Sequence, residues 1–198
     1  VKKHAYLLCR WAVFGLVMFS PSLFAAPDFL QPFVDIRQPL WTVDMAEQDR
    51  RLYDCGLEKE RERICSDDFV FAHTTVRAEW FVSGDRLRRA VLRAVYSPAN
   101  YADLQLSLRH SGYGIESACV ETRCFDVRQA VQRQGRAAAD RALVTFINQP
   151  GSALSMTQQW VALSLWDRPS PVLRAELTSD GQQIQLSLIR ADVLEDDD

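Results

Sequence analysis

His73, Arg77 and Glu79 lie in the segment Phe69 to Val82, where polar and apolar residues alternate. As one strand, this segment would place an imidazole, a guanidinium and a carboxylate on a single face. A general base beside an orienting partner is a reasonable start for a hydrolase. Half-exposed strands also carry alternating polar residues for solvation alone, and this simpler reading is preferred. His110 ends a helical stretch, where a cation complements the helix dipole. Asp67 and Asp68 fall short of a cation-coordinating set. The sequence contains no P-loop, glycine-rich dinucleotide turn, HExxH or GxSxG. No catalytic residue, metal ligand or cofactor is therefore assigned, and binding is favoured over catalysis.

The cysteines carry a clearer signal. Cys55, Cys65, Cys119 and Cys124 form an even set after Cys9 is set aside as part of an N-terminal leader. Four cysteines allow three pairings. Cys55–Cys65 and Cys119–Cys124 are favoured because short loops close most readily. Neither spacing suits zinc, and without a CxxC a redox dithiol has no support.

A third group could support recognition. Between Met156 and Trp166, Met156, Trp160, Ala162 and Trp166 alternate with Val161, Leu163 and Leu165, so both strand faces are partly apolar. A central strand covered on both sides has this pattern. If instead the tryptophan face is exposed, Trp160 and Trp166, with Arg168 and Arg174 nearby in sequence, form a candidate protein-binding patch.

Residues 1–25 read as an export signal. Lys2, Lys3 and Arg10 precede an apolar run from Trp11 to Phe19, with a small residue at Ala25. The run is too short to span a bilayer as a helix, so cleavage after Ala25 and no stable membrane insertion afterwards are expected. The signal takes Lys2, Lys3 and Arg10 and no acid from 23 basic and 26 acidic residues, leaving a net charge of −6. An acidic domain has no global electrostatic reason to bind nucleic acid. Apart from Lys59, the remaining basic residues are arginines, and with Val1 this suggests a bacterial chain of GC-rich coding. The compartment expected is the periplasm or the exterior, which permits the disulfides.

The elements follow from pattern and punctuation. Three prolines between Ala26 and Val43 (Pro27, Pro32 and Pro39) favour an extended lead-in. Asp44 is taken as the cap of a short helix with Met45, Leu52 and Tyr53 inward. The charged LEKERER run, residues 57–63, reads as a solvated face. Phe69–Val82 and Arg86–Tyr96 form a hairpin over Ser83-Gly84, setting Trp80 opposite Leu87, Val76 opposite Val91 and Glu79 opposite Arg88. In that register Arg89 falls on the apolar face. Ser97-Pro98 begins a helix that buries Tyr101, Leu104 and Leu108 and stops at Gly112. Asp126 caps another, with Val127, Ala130, Val131, Ala138 and Ala142 inward. Strands are expected over Leu143–Asn148, Met156–Trp166, Val172–Thr178 and Gln182–Arg190, the last two as a hairpin over Ser179-Asp180-Gly181.

The fold class expected is α+β, with about six mainly antiparallel strands and two or three helices packed on one face. Residues 26–190 form a single disulfide-stapled domain, and 191–198 an acidic disordered tail. The function expected is that of an exported, non-enzymatic protein that binds another envelope or exported protein, as an inhibitor, immunity-type or assembly protein does. The alternatives are a hydrolase near His73 and a carrier of a small apolar ligand.

Overall fold

The computed structural model describes residues 26–56, 62–149, 155–163 and 173–191. The expected signal, most of the LEKERER run, Trp166, Arg168 and the tail from Asp192 lie outside the described residues. Within them the chain forms an open antiparallel sheet of ten strands with five helices, more strands and helices than the sequence suggested. The strands are β1 (Leu52–Asp54), β2 (Arg63–Ser66), β3 (Phe69–Phe71), β4 (Thr74–Ser83), β5 (Arg86–Val95), β6 (Tyr113–Val120), β7 (Arg123–Asp126), β8 (Met156–Ala162), β9 (Leu173–Ser179) and β10 (Gln183–Arg190). Their order is β1-β2-β4-β5-β10-β9-β8-β6-β7, with β3 paired to β4 beside β2. The helices are α1 (Gln31–Val34), α2 (Val43–Gln48), α3 (Pro98–His110), α4 (Val127–Gln134) and α5 (Arg136–Ile147).

Alternation along the strands gives the sheet one apolar face. Trp80, Ala90, Leu188, Ala175, Trp160 and Ile115 follow one another across the ladders, all buried. They share a single core cluster with Phe29, Leu30 and Phe33 of the lead-in and with Tyr101, Leu104 and Leu108 of α3. The hairpin β9–β10 turns over Asp180-Gly181-Gln182, one residue later than expected, and pairs Ser179 with Ile184, Leu177 with Leu186 and Ala175 with Leu188. The start of α3 is as its sequence indicates, with Ser97 Oγ accepting from Asn100 N–H at 3.0 Å.

Several expectations are corrected. The lead-in is not extended: a 3-10 turn (Asp28–Leu30) and α1 fold Phe29 edge-to-face against Trp80, with ring centroids 5.1 Å apart. It is held there by side chains that reach its carbonyls. Arg190 Nη1 donates to Pro32 O at 3.0 Å, Arg190 Nη2 to Ile36 O at 2.9 Å, and the Tyr113 hydroxyl to Phe33 O at 2.6 Å. Thr42, not Asp44, caps α2, its Oγ1 accepting from Met45 N–H at 3.2 Å. This earlier start turns Val43 and Ala46 inward and leaves Met45 exposed, and because α2 ends at Gln48, Leu52 and Tyr53 lie on β1 instead, Leu52 buried and Tyr53 exposed.

The segment 143–148 is helical instead of a strand. The helix-favouring run RAAADRA carries α5 through Ile147, and Ala139 and Leu143, four apart, face inward in place of Ala138 and Ala142. Gly135 separates α4 from α5 with φ +79°, a conformation natural to glycine.

The β4–β5 corner is Gly84-Asp85, one residue later than expected. Ser83 pairs with Arg86, Val82 with Leu87 and Phe81 with Arg89, leaving Arg88 as the extra residue of a bulge. The bulge lets Leu87 and Ala90, three apart, both face the core. It moves Arg89 to the opposite face and sets Glu79 opposite Val91. The lead-in fixes this corner: Leu87 N–H donates to Trp41 O at 2.9 Å, and Val43 N–H to Asp85 O at 2.9 Å.

Candidate functional site

The proposed strand face of His73, Arg77 and Glu79 is interrupted. Phe69–Val82 is not one strand, because Ala72 (φ +50°) and His73 (φ +65°) form the two-residue turn of the β3–β4 hairpin. Positive φ at both central residues matches the right-handed strand twist but requires αL backbone from two non-glycine residues. His73 is thus an exposed turn residue, while Arg77 and Glu79 remain on the strand. Arg77 Nε lies 3.1 Å from Asp68 Oδ1. Glu79, with only 13 % of its side chain exposed, bridges Arg63 at 3.0 Å and Arg93 at 2.8 Å. His73, Asp68, Arg77 and Arg93 border an open hollow of about 460 Å³. Its carboxylate Asp68 sits in an ion pair, as does Glu79 on the neighbouring strand surface. Among the described residues, no group of three or more His, Cys, Asp or Glu is placed to hold a metal ion.

The tryptophan–arginine patch divides between the two faces of the sheet. Trp160 is 1 % exposed and pairs with Ala175 and Ile115, so it belongs to the core and cannot anchor an external partner. Arg174 lies opposite Val161 on the other face and is exposed. Trp166 and Arg168 are outside the described residues. The disulfides Cys55–Cys65 and Cys119–Cys124 are both formed. The first joins β2 to the chain leaving β1, and the second is a directly opposed cross-strand pair in the β6–β7 hairpin.

The arrangement missed in the sequence is a row across the second face. Arg63, Phe81, Arg89, Ile189 and Arg174 follow one another on β2, β4, β5, β10 and β9. Arg63 and Arg89 place their guanidinium carbons 5.6 Å and 5.3 Å from the Phe81 ring centroid, within cation–π range. Arg89 Nη2 also donates to Ser187 Oγ at 3.2 Å. Ile189 is 36 % exposed. Two rows along the same face, past Glu79 and Val91, lie Arg77 and Arg93. Among the described residues, the acids set against these arginines include Asp68, paired with Arg77, Glu79, which neutralises part of Arg63 and Arg93, and Glu176, which accepts from Gln159. Arginine is in excess here although the full chain has net charge −3. Only the bulge brings Arg89 into the row, and only the strand order joins β5 to β10, so neither feature can be read from local alternation.

A cavity of about 390 Å³ lies on the apolar side. Tyr113, Ile115, Val127, Leu143 and Trp160 line it among buried residues. Burial pushes the Tyr113 hydroxyl well above the ordinary phenol range, so it is a permanent donor to Phe33 O. No family model matches the sequence, no curated protein matches it, and no solved structure matches the fold.

Proposed function

We propose that the chain is an exported, non-enzymatic binding protein that docks an acidic surface of another envelope or exported protein. The supporting observation is the row Arg63–Phe81–Arg89–Ile189–Arg174, a mixed arginine and apolar strip on the exposed face of the sheet. Arginine and large aromatic side chains are enriched where binding energy concentrates. The ladder and the cation–π contacts hold these side chains in place, which lowers the ordering cost of docking. Local positive charge on an otherwise acidic protein selects an acidic partner and speeds encounter with it. In this reading residues 1–25 are removed on export, 26–190 fold as one domain with the helices on the core side of the sheet, and the two disulfides suit the oxidising compartment. Among the described residues no helix is long and apolar enough to cross a membrane.

The test is parallel capture from a periplasmic extract with wild-type protein and with the double variant Arg89→Glu/Arg174→Glu. Both positions are exposed, but Arg89→Glu also gives up the Phe81 contact and the Ser187 hydrogen bond, so capture is compared at a temperature well below the melting transition of either protein. Enrichment of an acidic protein by wild type, lost in the variant and in high salt, supports the reading; equal capture by both rejects it.

A further inference from the structure

We propose that the cavity bordered by α3, α4, α5, β6 and β8 binds a small amphiphile with one anionic head and an apolar tail. This inference is independent of the docking face, because the cavity lies on the other side of the sheet. Its volume of about 390 Å³ falls within the range of small-ligand sites, about 300–1,000 Å³. Tyr113, Ile115, Val127, Leu143 and Trp160 supply an apolar wall.

The rim has the opposite character. Arg109, in the last turn of α3, and Arg136, the first residue of α5, border the cavity with Asp140. Neither guanidinium has a hydrogen-bond or ion-pair partner among the described residues. Arg136 occupies a helix N-terminus, where the dipole disfavours a cation, and Gly135 before it provides no side-chain cap. An anionic head placed there would meet two arginines and open helix N–H groups against one carboxylate. The lip adds Val144 and Leu163, 52 % and 49 % exposed, which an entering tail would cover.

The wall and the rim thus call for an apolar tail and a single negative charge at opposite ends of one ligand. A saturated carboxylate of medium length combines the two.

Calorimetric titration below the micelle concentration tests the site, with octanoate, decanoate and dodecanoate as probes. Each added methylene should tighten binding about fourfold until the cavity is full. Decyltrimethylammonium should bind at least tenfold more weakly than decanoate. Arg109→Glu/Arg136→Glu should weaken decanoate by at least tenfold at an unchanged melting temperature. Val144→Trp, which fills the mouth from an exposed position, should abolish binding. A parallel arm with phosphatidylglycerol vesicles separates a free amphiphile from a membrane surface. Sedimentation with vesicles without decanoate binding overturns the proposal, as does no saturable carboxylate binding, equal affinity for the ammonium probe, or full binding by Val144→Trp.

Discussion

Arg89 and Phe81 face each other across the β4–β5 ladder, with the guanidinium carbon 5.3 Å from the ring centroid, because Arg88 is absorbed in a bulge. Without the bulge, Leu87 and Arg89, two apart, would share the core face and Ala90 would leave it. One irregularity thus serves core packing and builds the surface row. A double-mutant cycle with Phe81→Leu and Arg89→Met should return a coupling of about 0.5–1 kcal/mol in thermal or chemical unfolding. Strict additivity would mean that the contact is not maintained in solution.

Glu79 holds two arginines of the same face while keeping only 13 % of its side chain exposed. Its partners remain about half exposed, so each bridge is worth at most about 1 kcal/mol. Glu79→Ala should lower unfolding stability by about 1–2 kcal/mol, whereas Asp68→Ala, which leaves an exposed pair, should change it by less than about 0.5 kcal/mol. Urea unfolding of the two variants gives the comparison, and equal losses would contradict it.

The disulfides close loops with sequence separations of 10 and 5. Loop entropy predicts losses of about 3 kcal/mol for Cys55→Ala/Cys65→Ala and about 2 kcal/mol for Cys119→Ala/Cys124→Ala. Non-reducing peptide mapping should recover the same two linkages. A Cys65–Cys119 peptide would contradict the β2 and β6–β7 placements together.

Asp180 fixes the β9–β10 turn, its Oδ1 accepting from Gln183 N–H at 2.7 Å and Gln182 N–H at 2.8 Å. These bonds hold its carboxyl below the ordinary value of 3.8. The folded state therefore binds the proton less well than the unfolded state. The contribution is present above the unfolded value and disappears as pH falls through the folded one. Asp35 acts in the same direction, held at about 2 chiefly by the Arg37 side chain. Asp180→Asn should flatten part of the acid limb in a plot of melting temperature against pH by lowering the melting temperature at neutral pH, with wild type and variant converging in acid below the folded carboxyl value.

Legibility in the sequence followed the range of the interaction. The α3 cap, the β9–β10 hairpin and the short-loop cysteine pairs depend on residues close together, and local chemistry identified them. The helix over 136–147 is legible up to Ala142, whereas its last turns carry β-branched Val144, Thr145 and Ile147, which suggest a strand. The Ala72-His73 turn lacks a glycine or asparagine signal, so an apparently continuous alternation concealed two strands. Trp160 and Arg174 are close in the ladder yet face opposite sides, a relation set by register between β8 and β9. The row from Arg63 to Arg174 was not visible at all, since it combines residues from five strands that only the sheet order brings together.

The most direct test measures the affinity of the captured acidic partner for wild-type protein and for Arg174→Glu, with the melting temperature of each recorded alongside. Arg174 is exposed and distant from the core, so the fold should be unaffected. The account predicts binding weaker by about 2 kcal/mol or more, roughly thirtyfold, at an unchanged melting temperature. Equal affinity for the two proteins would contradict docking through this face.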